Sequence, residues 1–275
     1  MSDNSEFQLK RLPRFKPRSG IEVMYASIRA LFLRELQTRF GHYRIGYAWA
    51  LLEPAMNVGF MLLLFSGFMH RTLPGIDYTV FLINGIVPFY VFMRSATKAL
   101  SAIESNRGLL SYRSVQTIDV IVARTAIEAL LYFVCYVFFT IILILIGHHI
   151  SFSNLTILAF YWILLFVFSI GFACIMMVIG ELSKESAKII GAIFIIVYFA
   201  SGAMFPLHMV PEQYLQYFLW NPVTHVLELM RHAVAPTYRT VNGTSLEYFL
   251  VSTLIVLLLG LLLNQGVNRH LLRSK

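Results

Sequence analysis

The stretch "RIGYAWALLEPAMNVGF", Arg44 to Phe60, enters an apolar run from a basic residue and then sets Glu53, Pro54 and Asn57 within it. An apolar run of about 20 residues is the length a membrane-crossing helix needs. A carboxylate at the bilayer centre costs about 2.5 to 3.5 kcal/mol, so Glu53 must lie near an interface or face something polar. On a helix of 3.6 residues per turn, Trp49, Glu53, Asn57 and Phe60 share one face. Two readings follow. That face lines a water-filled entrance, or Glu53 sits only about 10 Å from the cytosolic interface, counted from Gly46 at 1.5 Å per residue, and reaches water or an arginine.

Composition favours the bilayer over a soluble core. Of 275 residues, 58% are hydrophobic and 13% charged, against roughly 25% charged in soluble domains. The chain reads as an all-α polytopic membrane protein. Six apolar runs near 48–69, 78–97, 124–147, 155–180, 188–205 and 247–267 predict six transmembrane helices. Pro54 in the first and Asn84-Gly85 with Pro88 in the second predict kinks, which membrane helices tolerate when neighbours re-satisfy the backbone. From Pro206 to Pro236 the sequence is semi-apolar and broken by prolines. It predicts a re-entrant or interfacial helical hairpin between spans five and six.

Lysine and arginine set the orientation, because cytoplasmic loops carry the excess positive charge. Of 22 such residues, 19 fall before Gly46, between Arg94 and Arg124, at Lys184 and Lys188, or at the C-terminal end. Only Arg71, Arg231 and Arg239 fall on the other side. Both termini are therefore expected in the cytosol, and the +8 net charge is topological rather than a nucleic-acid signature. The basic segment "LKRLPRFKPRSG" also suits anionic lipid. Residues 1–46 lack the apolar core of a cleaved signal peptide. They divide into a basic tail and a helix whose Ile21, Met24, Tyr25, Ile28, Leu31 and Phe32 recur at i, i+3, i+4 and i+7. Such a stripe lies on a membrane, and about 46 residues cannot build a soluble core of their own. Residues 47–275 form the six-span domain, with a cytosolic loop at 98–118 and the hairpin at 206–236. Cys135 and Cys174 sit in apolar runs and read as core residues.

The order "RELQTRF…RIGYAWALLEP", then the spans, then "SGAMFPLHMVPEQYLQYFLWNPVTHVLELMRHAV" before the last span resembles the membrane subunit of type-2 ABC exporters. It is most similar to the permeases that export capsular polysaccharide from Gram-negative bacteria. The resemblance runs from about Arg34 to the last span. No Gly-x-x-x-x-Gly-Lys-Ser/Thr motif is present, so nucleotide phosphates are not cradled here by that route. What the resemblance implies is two copies of the chain paired with two ATP-binding subunits that carry ATP and Mg, no cofactor on the chain itself, and an inner-membrane location. It further implies a periplasm-spanning co-polymerase and outer-membrane export proteins as partners, with lipid-linked polysaccharide as cargo.

Docking to the ATP-binding subunits then falls on the amphipathic helix, with Arg34, Glu35 and Arg39, and on the loop "SAIESNRGLLSYRSVQ", with Glu104, Asn106, Arg107, Tyr112 and Arg113. The plainer reading is a solvated loop. Tyr132 and Tyr136 on span three and Phe194 and Tyr198 on span five align at helical spacing. Flat rings offer a sugar chain sliding contact, although aromatic stripes also simply pack. With Trp49, Glu53, Asn57 and Phe60 they are the candidate path. In the hairpin, Asn221 predicts a helix cap with Pro222 at the first position. His225, Glu228 and His232 then share a face that suits a periplasmic gate better than a metal, since the zinc-protease spacing is missing. Other cargoes, such as O-antigen, teichoic acid or a small hydrophobic compound, fit the same pattern. An intramembrane enzyme lacks a clustered acid, base or nucleophile, and a proton-coupled carrier lacks a relay of ionisable groups.

Overall fold

The computed structural model describes residues 19–40, 46–68, 73, 75–112, 115–183 and 185–273, with side chains at 39–40, 46–51, 53, 65–68 and 269–273 outside the description. Among the described residues the regular structure is helical. In chain order the α-helices are α1 (Gly20–Phe40), α2 (Gly46–Phe68), α3 (Tyr78–Ala99), α4 (Ala102–Leu110), α5 (Thr117–Ile146), α6 (Leu155–Leu182), α7 (Ser186–Ala200), α8 (Glu212–Leu219), α9 (Pro222–Val234) and α10 (Leu246–Arg273).

Four of these, α3, α5, α6 and the Leu246–Asn268 part of α10, are long and apolar enough to cross a membrane. The apolar helix α7 has only 15 residues. α3 is the central element, buried on almost every side between α5, α6 and α9. Its rings join an aromatic core. Tyr90 stacks on Tyr132 of α5 at 5.6 Å and on Tyr198 of α7 at 5.9 Å, while Phe92 meets Phe168, Phe172 and Phe194 at 4.9 to 5.6 Å. Aromatic pairs at these separations add about 0.5 to 1.5 kcal/mol each beyond burial.

α6 and α10 cross closely, and small residues permit it. A Cβ on Gly171 would sit 2.6 Å from Leu257 Cα, and one on Gly260 would sit 2.3 Å from Gly171 O. Close backbone approach of this kind holds membrane helices together where water supplies no driving force.

Helix ends depart from the hydropathy pattern where polar residues intervene. α5 begins at Thr117 rather than near 124, because Gln116 and Asp119 form a capping box, with Gln116 N donating to Asp119 Oδ2 at 3.0 Å. α7 ends at Ala200 rather than near 205, and the turn that follows is bound by side chains of α3 and α9 described below. The 206–236 segment forms two helices, α8 and α9, and Asn221 Oδ1 accepts from Val223 N at 3.1 Å with Pro222 opening α9, as its sequence predicts. In α1, Leu31 and Glu35 bury against α5, whereas Ile21, Met24 and Tyr25 stay exposed. The exposed Leu33 adds an apolar residue outside the expected stripe.

Candidate functional site

Two polar clusters and one groove organise the molecule. The first cluster lies where α1, α4 and α5 meet. Glu35 Oε1 stands 3.6 Å from Arg124 Nε and Glu35 Oε2 stands 4.0 Å from Arg34 Nη2. Arg34 also donates to Asn106 Oδ1 on α4. Arg124 donates to Lys98 O at 3.0 Å and to Ser105 Oγ at 2.6 Å, which fixes the end of α3 and the middle of α4 to α5. The short helix α4 is thus clamped to both the first helix and the long α5. One consequence is that the candidate docking residues divide. Glu35 and Asn106 are buried inside the clamp, while Glu104, Arg107 and Tyr112 are exposed on its outside. Arg107 reaches Glu181 at the end of α6 at 3.3 Å. Arg113 and the side chain of Arg39 lie outside the described residues.

The second cluster lies at the other end of the bundle. Arg231 and Glu228, one turn apart on α9, are both completely buried and pair at 2.7 Å. The Arg231 guanidinium carbon sits 3.5 Å from the centre of the Phe81 ring. Its nitrogens donate to Phe81 O at 3.3 Å, Gly202 O at 2.7 Å and Ala203 O at 3.2 Å. Glu228 accepts from Tyr238 Oη at 3.0 Å and Val241 N at 3.3 Å. Tyr78 Oη donates to Met204 O at 3.0 Å, so three successive carbonyls after α7 are held by side chains. Gly85 makes the approach possible, since a Cβ there would lie 2.1 Å from Ala203 O.

His225 completes this end. Ser245 N donates to its Nδ1 at 3.0 Å, so the ring proton sits on Nε2, which donates to Leu219 O at 2.8 Å. Burial holds the His225 pKa below its ordinary value, with the Leu219 carbonyl and Glu228 pulling the other way. The expected gate-facing residues His225 and Glu228 therefore face the interior of the subunit. His232 on the same helix is exposed, and among the described residues no three His, Cys, Asp or Glu side chains converge as metal ligands.

Between α6 and α7 runs an apolar groove of about 580 Å³. Ser183 and Ser186 mark one end, Asn221 and Pro222 the other, and Phe92, Phe172 and Phe194 line the length between them. It brings one candidate path residue, Phe194, together with two candidate gate residues. The other candidate aromatics lie outside the groove lining. Tyr132 and Tyr198 stack on Tyr90, and Tyr136 donates to Asn84 Oδ1 at 2.8 Å with Trp162 against its ring. These three tyrosines, like Phe194, are buried within the chain's own helices. On α2, Phe60 is exposed, Asn57 half-buried, and Pro54, Val58 and Leu62 turn inward. The side chains of Trp49 and Glu53 lie outside the described residues.

Sequence reasoning missed the Arg231 cluster, although the i, i+3 spacing of Glu228 and Arg231 signals a pair. It also missed the clamp, in which Arg124 pairs with Glu35 on a distant helix.

Residues 26–234 match the model of the family described as ABC-2 type transporter. The chain is 42% identical over 257 residues, covering 94% of it and 99% of the relative, to the polysialic acid transport protein KpsM of Escherichia coli. It is 27% identical over 252 residues to the capsule polysaccharide export inner-membrane protein BexB of Haemophilus influenzae, with 92% and 95% of the two chains covered. To the inner-membrane protein CtrC of Neisseria meningitidis serogroup A, also a capsule polysaccharide export protein, it is 27% identical over 256 residues, at 92% and 95% coverage.

Proposed function

The chain belongs to the ABC-2 type transporter membrane family, and on that premise we propose that it is the permease through which capsular polysaccharide leaves across a bacterial inner membrane. It is a multi-pass transport protein rather than an enzyme. The observation that carries this reading is similarity along almost the whole chain, from α1 to α10, to a polysialic acid transport protein.

In this reading two copies of the chain work with two ATP-binding subunits, which supply the ATP and Mg chemistry. The cargo is lipid-linked polymer. Six spans, α2, α3, α5, α6, α7 and α10, place both termini in the cytosol, and the α8–α9 pair forms the outer gate hairpin. The exposed edge of the α1–α4 clamp, Glu104, Arg107 and Tyr112, offers the docking surface. It stands on a rigid base, because Glu35, Asn106 and Arg124 tie α4 to the long α5 and so to the membrane bundle. The path takes the α2 face of Asn57 and Phe60 together with the side of α7 that carries the groove and Phe194.

The test is to delete the gene in an encapsulated host and follow the polymer. Loss of surface polymer with accumulation inside the cell is expected, and both are restored by the intact chain. Normal surface polymer in the deletion strain contradicts the reading.

A further inference from the structure

We infer that the gap between α5 and α6, at the end joined by residues 147–154, is a built site for one phospholipid with an amine headgroup. The observation is a slot and a mouth that adjoin. The slot has a volume of about 270 Å³ and is walled by Phe133, Tyr136 and Val137 of α5 and Leu158, Ala159 and Trp162 of α6. The mouth, about 570 Å³, lies above it between the 147–154 loop and the segments around Asp77 and Ala235. Ile150, Ser151 and Val234 line both spaces, so the two adjoin at these residues.

The two halves differ in chemistry in the way the two halves of a lipid do. The slot wall is almost entirely carbon, and water needs two to four polar partners to occupy a cavity. α5 and α6 are both membrane-crossing by length and composition, so the medium facing a side opening between them is hydrocarbon. An acyl chain matches this largely apolar wall. The mouth is different: it carries the Asp77 carboxylate, the His149 ring and Ser151, and His148 Nδ1 lies 3.0 Å from Asp77 Oδ2. A carboxylate beside imidazole and hydroxyl donors suits a headgroup that holds an ammonium next to a phosphate. The ammonium brings three donors for the half-exposed carboxylate, and the phosphate accepts from His149 and Ser151. A glycerol headgroup has no cation for Asp77 and brings net negative charge to it.

The mouth is also held in shape. Ser151 N donates to Val234 O at 2.9 Å, fixing the loop to the end of α9, and Thr237 Oγ1 donates to Gly75 O at 2.6 Å across its far side. A lipid seated here braces the α5–α6 hairpin and touches the end of α9, which is the helix of the buried arginine pair.

The full-length chain, purified in detergent with whatever subunits accompany it, is titrated with phosphatidylethanolamine or with phosphatidylglycerol of the same acyl chains. Retained lipid is counted by native mass spectrometry. One phosphatidylethanolamine per chain is expected to hold about tenfold more tightly than phosphatidylglycerol. Asp77→Asn should abolish that preference while both lipids still bind. Ala159→Phe fills the slot and should remove retention of both, and Thr140→Phe fills it from the α5 wall should the first variant not accumulate. Equal retention of the two lipids by the unmodified chain, or unchanged retention in the slot-filling variants, overturns the inference. These readouts are independent of polysaccharide export.

Discussion

Glu35–Arg124 and Glu228–Arg231 are both carboxylate–guanidinium pairs, but the first joins α1 to α5 whereas the second lies within α9 and meets its neighbours through the arginine's other donors. The first is separated by 3.6 Å and keeps about a tenth of each side chain in contact with solvent. Its arginine divides its donors among Glu35, a serine hydroxyl and a helix-end carbonyl. Immediately outside it stand exposed charged and aromatic residues. The second pair has no exposure at all, meets at 2.7 Å, and is enclosed by Phe81, Tyr238 and three backbone carbonyls. Both pairs are largely out of water, and removing one partner of a buried pair costs about 3 to 5 kcal/mol, the more so where, as in the second, no solvent reaches the charge left behind. The difference separates a joint that receives force from a pin that holds the turn after α7 against α3 and α9.

The largest effect is expected where the pin is cut. Arg231→Met leaves Glu228 charged and unpaired in the core and should destabilise the fold by about 3 to 5 kcal/mol. Little folded protein should then be recovered from the membrane, as judged by size-exclusion in detergent. Arg231→Lys, which keeps the charge but loses the fork that reaches several carbonyls, should fall between. Recovery of Arg231→Met at the level of the unmodified chain breaks the distinction between pin and joint.

Cutting the joint should be milder for folding and harsher for coupling. Arg124→Met removes hydrogen bonds made by a charged group, worth about 1.5 to 3 kcal/mol each where fully buried. The tenth of the Arg124 side chain that solvent still reaches should keep the loss below that of Arg231→Met. The chain should fold, but α4 loses its tie to α5, so ATP hydrolysis in the complex should no longer depend on polysaccharide supply. Hydrolysis rates with and without cargo measure this.

The smallest effect on folding belongs to the exposed edge. Arg107→Glu should leave thermal stability within about 0.5 kcal/mol of the parent, because the Arg107–Glu181 contact is open to solvent. It should weaken association with the ATP-binding subunit, read as loss of co-purification. Normal association in this variant removes Arg107 from the docking surface.

How much of this was legible in the sequence follows from how local each signal is. The positions of the long apolar helices depend on composition over about 20 residues, and α3 and α6 begin where hydropathy places them. The start of α9 was legible because Asn221 and Pro222 act on their own helix. The early start of α5 was not expected, since hydropathy is blind to the polar turn that Asp119 caps. The clamp joins Arg34 to Asn106, 72 residues away, and no spacing rule reaches that far. Helical spacing placed Tyr132 with Tyr136 on one face, but it does not say whether that face meets lipid, a second copy or the subunit's own α3. The packing decided for α3. Likewise the i, i+3 spacing of Glu228 and Arg231 was readable, while their complete burial depends on Phe81, Gly202 and Tyr238 arriving from three other segments.

The most direct measurement is hydrogen–deuterium exchange of the full-length chain in nanodiscs, with and without the ATP-binding subunits and ATP. Amides of α4, Ala102–Leu110, should slow on addition of the subunits and change again with ATP, while those of α9, Pro222–Val234, stay equally protected in all three states. Exchange in α9 that shifts as much as in α4, or α4 amides indifferent to the subunits, contradicts the proposed docking joint on α4 and a fixed pin on α9.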